Sequence, residues 1–397
     1  MTQPTNREPG DPERDASGSL TNRSSDPPAG NESAPARSSS PPEQGDPLWM
    51  FLGPQGLRAG WSALLFVVLL YLFANIFGIF VSFLLTNVLH VELAEETAAS
   101  SIVNESPWVL GLAATLAIMA RLERRRFLDY YLAGPAAAAR LVSGLISGFA
   151  ALSVLVGVMA WGGWIRFNQA PHDWAHLFRY AGLWAVAFLL VALTEEGSFR
   201  CYLQFTFTRS INFWWALVAV SAMCLWDLIH SGSHGAVGVY AMSALGLVPC
   251  LYLHLSQSRR SSFGQAAWAS STLFGFIHTG NNGETWIGIL AAGAIGFVFC
   301  VSVRLTGSAW WAIGCHAAWD WAESYFYGTA DSGFVARGHL LTTNPAGSAL
   351  WSGGTDGPEG SILVLPIVAL LLLALILLYG RKSRDFTAAP VAENVAS

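Results

Sequence analysis

The sequence predicts an all-α, multi-pass transmembrane helical bundle. Three observations carry that expectation. The chain of 397 residues is 53% hydrophobic and only 12% charged, with 17 Trp and 23 Phe. A soluble domain carries about 25% charged residues, so too few are present here to solvate a water-facing surface. Apolar runs recur from Trp61 onward, many near the roughly 20 residues that a helix needs to cross a bilayer core of about 30 Å. Basic residues collect in alternate loops, the bias that orients membrane spans.

The composition also excludes classes. A net charge of −5 offers no basic surface for nucleic acid, so the expected partners are membrane lipids and no nucleic acid. Cys201, Cys224, Cys250, Cys300 and Cys315 lie in apolar stretches with no CxxC pair. They read as small core residues, not as disulfides or thiolate ligands of zinc.

Taken in order, residues 1–46 contain no aromatic residue, and nine of the 18 prolines fall within 1–47. Such a polar tail buries too little apolar area to offset its ordering entropy and is expected to be disordered. It has no apolar core like that of a signal peptide. The transmembrane domain is expected over 47–385, followed by a short cytoplasmic tail, 386–397. Candidate spans are 61–86, 107–120, 141–164, 181–199, 213–230, 236–255, 264–279, 286–303, 309–325 and 361–379, of which 107–120 and 264–279 are short. Arg121, Arg124, Arg125, Arg126, Arg209, Arg259, Arg260, Arg304, Arg381, Lys382 and Arg384 follow every second run, while 88–107 holds four glutamates and no basic residue. This fits about ten spans with both termini cytoplasmic. The Gly-rich loop 326–360 falls on the far side, and no chemistry is assigned to it.

Ionisable groups inside a membrane are costly, roughly +2.5–3.5 kcal/mol for Asp or Arg at a helix centre, and so mark function or pairing. The informative residues are Glu195, Glu196 and Arg200; Asp227, His230 and His234; His278; and His316, Asp320 and Glu323. Glu196 and Arg200 are four apart and meet on one helix face. Glu195 points about 100° away, so one carboxylate is neutralised while its neighbour stays free. Phe274 and His278 share a face, as do His316 and Asp320. A free Glu, two His and an Asp from three helices form an inventory for activating water and holding an oxyanion. The same set could equally ligate a divalent metal. HExxH is absent.

These residues form EExxxR (Glu195, Glu196, Arg200), FxxxH (Phe274, His278) and HxxxD (His316, Asp320), in that order on apolar segments. The set resembles the CPBP family of intramembrane glutamic endopeptidases or metalloproteases, which includes the CAAX prenyl protease 2 and Abi-like proteins, in a bacterial branch. The phrases FRCYLQ and TGSAWWAIGCHAAWDW also resemble the family's. The resemblance implies a core of eight spans and hydrolysis of peptide bonds in a membrane-anchored peptide or protein at the cell inner (plasma) membrane. It implies that Glu195 activates water, that His278 assists, that His316 and Asp320 stabilise the oxyanion, and that Glu196 and Arg200 hold the geometry. The cofactor it implies is either a divalent metal such as zinc, on Glu195, His278, His316 and Asp320, or none. Two residues depart from the family pattern: Cys201 stands at a usual Gly and Asp320 at a commoner Asn.

Spacing departs further. His278 lies 83 residues after Glu195, whereas His230 lies 35 after it; His278 lies 38 before His316. Residues 228–272 read as an inserted helical pair, with HSGSHGA echoing HTGNNGE. The alternatives from other classes are a non-catalytic scaffold or degenerate homologue and a proton-coupled transporter.

Overall fold

The computed structural model describes residues 51–53, 56–91, 93–94, 97–134, 136–168, 174–210, 262–281 and 283–386, with scattered residues between 217 and 255. The polar tail 1–46, the tail 387–397, His230, His234 and most of 211–261 lie outside the described residues, as do the expected spans 213–230 and 236–255.

A two-residue hairpin, β1 (Leu52–Gly53) with β2 (Gly56–Leu57), leads into α1 (Ala59–Phe83). Helices α2 (Ala98–Leu122) and α3 (Ala137–Trp161) follow. Next come α4 (Trp174–Glu196), a wider π-helical segment (Gly197–Leu203) and α5 (Gln204–Ser210). Then come α6 (Ser262–Ile277), α7 (Trp286–Thr306) and α8 (Trp310–Asp320). A second π segment (Trp321–Phe326) extends α8, and α9 (Val364–Phe386) ends the bundle. Strand β3 (Ile165–Asn168), after α3, pairs antiparallel with β4 (Thr342–Pro345) in the long loop before α9.

Among the described residues, five stretches are long and apolar enough to cross a membrane: Ala59–Leu89, Ala98–Leu122, Ala137–Trp161, Ala175–Arg209 and Trp286–Thr306. The apolar part of α9, Val364–Gly380, is shorter, as are α6 and α8. The fold is an all-α bundle of a multi-pass membrane protein. One expected boundary is corrected. The span read as 107–120 is a helix of 25 residues that begins at Ala98, because Thr97 and Ser100 cap each other's backbone N–H groups. Pro107 sits inside that helix, where a neighbouring bundle tolerates it. Glu105, expected in a loop, is therefore helical. Residues 262–272, assigned to the expected insertion, form the first part of the helix that leads to His278.

Helices α3 and α8 touch backbone to backbone. A Cβ on Gly144 would lie 2.2 Å from the Trp311 carbonyl oxygen, one on Gly148 would lie 2.1 Å from that of Cys315, and one on Gly314 would lie 2.3 Å from that of Leu141. Small residues permit this approach, which sets His316 on a rigid support. Glu123, just past α2, accepts hydrogen bonds from Arg209 at 2.8 Å, Tyr202 at 2.9 Å and Tyr130 at 3.2 Å. The basic ends of α2 and α5 therefore lie together, as the loop charges require.

Among the described residues, three apolar clusters form the core. One joins α3, α7, α8 and α9 through Leu152, Met159, Phe299, Trp311 and Leu371. Another joins α1, α2, the first π segment and α6 through Phe66, Leu116, Phe199, Tyr202 and Phe274. A third joins α2, α4 and the second π segment through Ala98, Trp184, Phe188 and Tyr325, and the polar site lies where the three meet.

Candidate active site

Glu195 and Glu196 end α4, immediately before the first π segment; Asp320 ends α8, immediately before the second. Such wide turns recur at functional sites because they re-aim the residues around them. The two adjacent glutamates diverge as helix geometry requires. Glu196 is fully buried, its Oε2 3.1 Å from Arg200 Nε, and Arg200 is buried too. The guanidinium lies over Phe274 at 4.2 Å, with Phe299 at 5.3 Å and Phe199 at 5.8 Å. Its terminal nitrogens form no hydrogen bonds, so aromatic faces take the place of polar partners. Gly296 leaves the space: a Cβ there would lie 2.8 Å from Arg200 Nη2.

Glu196 Oε1 accepts a hydrogen bond of 2.9 Å from His316 Nδ1. That bond sets the tautomer and leaves Nε2 facing Glu195 Oε2 at 3.8 Å and Asp320 Oδ2 at 3.5 Å. Phe299 stacks on the imidazole, with ring centroids 5.8 Å apart. His278 opens a short 3₁₀ turn after α6 and donates Nδ1–H to the Phe274 carbonyl at 2.8 Å, so its Nε2 is also left available. Phe274 touches both imidazoles, at centroid distances of 4.8 Å for His278 and 6.2 Å for His316.

Glu195, His278, His316 and Asp320 all line one cavity of about 600 Å³. Glu196 and Arg200 stand behind its wall. Three carboxylates that are not among the expected site residues line it as well: Glu105 from α2, and Asp331 and Glu359 from the loop 326–360. That loop, to which no chemistry was assigned, therefore forms a wall of the cavity. The Thr97 cap could have revealed Glu105; nothing local marks Asp331 or Glu359. At the edge of the bundle, burial and the neighbouring Asp356 push the Glu284 carboxyl up to about 8, and burial pushes Asp356 up to about 6. Asp356 accepts hydrogen bonds from the Thr285 backbone and hydroxyl and so caps α7.

The donor types of Glu195, His278, His316 and Asp320 suit a divalent metal, and both imidazoles are steadied through their other nitrogen. Their positions do not. Among the described residues, Glu323, Asp331 and Glu359 bring their ligand atoms within 4.8 Å of one another, and the four expected donors form no such group. No mechanistic step is therefore routed through an ion at those four residues.

Among known families, residues 250–322 match the type II CAAX prenyl endopeptidase Rce1-like model. The matched segment contains His278, His316 and Asp320 and begins beyond His230. No curated protein and no solved structure matches the chain.

Proposed function

We propose, from the match of residues 250–322 to the type II CAAX prenyl endopeptidase Rce1-like model, that this protein is an intramembrane endopeptidase using a glutamate-activated water. The observation that carries the reading is the meeting of Glu195 Oε2 and His316 Nε2, 3.8 Å apart, at a cavity that His278 and Asp320 also line. A scaffold gains nothing from holding a carboxylate and an imidazole at such a distance in an apolar bundle, where each costs free energy.

The residues divide the work. Glu195 takes a proton from water, and the hydroxide attacks the carbonyl carbon of the scissile amide. His278, through Nε2, orients that water. The oxyanion accepts a hydrogen bond from His316 Nε2 when the ring carries both protons, since Nδ1–H is committed to Glu196. Asp320 holds that second proton at Nε2 as a carboxylate and donates to the oxyanion only as the acid. Collapse breaks the C–N bond, and Glu195 returns its proton to the leaving amine. Glu196 and Arg200 position His316 without touching substrate. The substrate is a membrane-anchored peptide or protein, the peptidase domain is 47–385, and the setting is the cell inner membrane with both termini cytoplasmic. Protein in lipid nanodiscs should cleave a membrane-anchored peptide, and Glu195→Gln and His316→Ala should each abolish cleavage. Normal cleavage by either variant would refute the assignment.

A further inference from the structure

Glu323, Asp331 and Glu359 come from three separate segments: the π segment after α8, the loop beyond it, and the short turn Pro358–Gly360 before α9. One carboxylate oxygen from each lies within 4.8 Å of the others. Three carboxylates so close repel one another unless a proton or a cation intervenes. A second observation points to the cation. Glu323 is wholly buried, and only its Oε2 is used, accepting from Trp319 Nε1 at 3.0 Å. Oε1 is buried without a hydrogen-bond partner. Its direction is given by Gly357, where a Cβ would lie 3.2 Å from Glu323 Oε1 and 2.0 Å from the Ala330 carbonyl oxygen. Glu323 Oε1 thus faces the place where the backbone before Asp331 and the backbone before Glu359 converge. Gly357 sits there with φ +98°, a conformation that leaves no room for a side chain.

We propose that Glu323, Asp331 and Glu359 form a calcium site that clamps the loop wall of the cavity. The donors are all hard oxygens, which suit calcium or magnesium rather than zinc or copper. The ligand oxygens lie within 4.8 Å of one another, and a set drawn from three separate segments suits the adaptable coordination of calcium better than the near-ideal octahedron that magnesium demands. Asp331 and Glu359 also line the cavity. Neutralising them tethers two stretches of a Gly-rich loop to the end of α8, three residues beyond Asp320. Burial pushes both carboxyls above their ordinary range, and a bound cation relieves that. The inference does not depend on the peptidase reading.

The test is thermal unfolding of the full chain in nanodiscs, stripped with EDTA and titrated with CaCl₂ or MgCl₂. Calcium should raise the midpoint saturably, half-maximally at about 10⁻⁴–10⁻³ M, with magnesium weaker. Asp331→Asn and Glu359→Gln should weaken the response about tenfold or more, while Glu195→Gln keeps it. In EDTA, Glu359→Gln should be at least as stable as wild type, because a repulsion is gone; in calcium the order should reverse. No saturable shift in wild type, an undiminished shift in both loop variants, or a Glu359→Gln deficit that is equal in EDTA and calcium would overturn the proposal.

Discussion

The same amide substitution at two adjacent glutamates should have opposite consequences. Glu196→Gln keeps an oxygen to accept His316 Nδ1–H, yet it removes the negative charge 3.1 Å from Arg200 Nε. Arg200 is then a buried cation with only aromatic faces around it. Breaking a buried pair from one side costs about 3–5 kcal/mol. Glu195 is different. Its side chain is 27% exposed, its nearest ion-pair contact is the 3.8 Å approach to His316, and Oε2 accepts no hydrogen bond. Glu195→Gln should change stability by less than about 1 kcal/mol. On the proposed mechanism, in which Glu195 is the general base, cleavage should fall about 10²–10⁴-fold or more. The assay pairs unfolding midpoints in lipid nanodiscs with turnover of a membrane-anchored peptide. If Glu195→Gln destabilises as much as Glu196→Gln, or cleaves within about tenfold of wild type, the division of labour between the two carboxylates is refuted.

Other outcomes follow from the packing and the charges. Gly148→Leu drives a side chain into the Cys315 carbonyl, beside His316, and should cost about 1–3 kcal/mol or more together with most activity; wild-type unfolding would contradict the described helix contact. Gly296→Ala crowds Arg200 Nη2, so it should lower turnover more than Gly182→Ala, where a Cβ meets nothing within 4 Å. The Glu284 carboxyl is raised to about 8, above its ordinary range near 4.5. Its stabilising contribution is therefore complete below that ordinary value and is lost as pH rises through about 8. Melting midpoints should decline between about pH 4.5 and about 8, and Glu284→Gln should flatten the decline; an unchanged slope would contradict the shift.

The motif residues were legible because expensive groups stand out in an apolar sequence. The opposite orientations of Glu195 and Glu196 followed from helix rotation alone, and the structure has Glu196 against Arg200 and Glu195 at the cavity. His316 contacting Glu196, 120 positions earlier in the chain, was not legible, since only tertiary packing sets that bond. Asp331 and Glu359 were passed over because a carboxylate in a Gly-rich loop is solvated by default, and nothing local shows that the loop folds back over the bundle. The start of α2 was misplaced because 88–107, with its four glutamates, reads as a loop, whereas the helix runs on through Pro107, whose missing N–H neighbouring helices compensate within a bundle. The two π segments leave no trace in residue pattern, since one wider turn is stabilised by what surrounds it.

The glycine contacts between α3 and α8 bear on how a polypeptide could reach the site. Two rods whose peptide groups abut have no cushion of side chains to slide on, so they rock together or not at all. The His316 face is thus an anvil, fixed in advance. Under the proposed peptidase reading, substrate passes instead beside the lining outside the α-helices, which includes Gly280, Asn281, Ser332, Gly333 and Phe334.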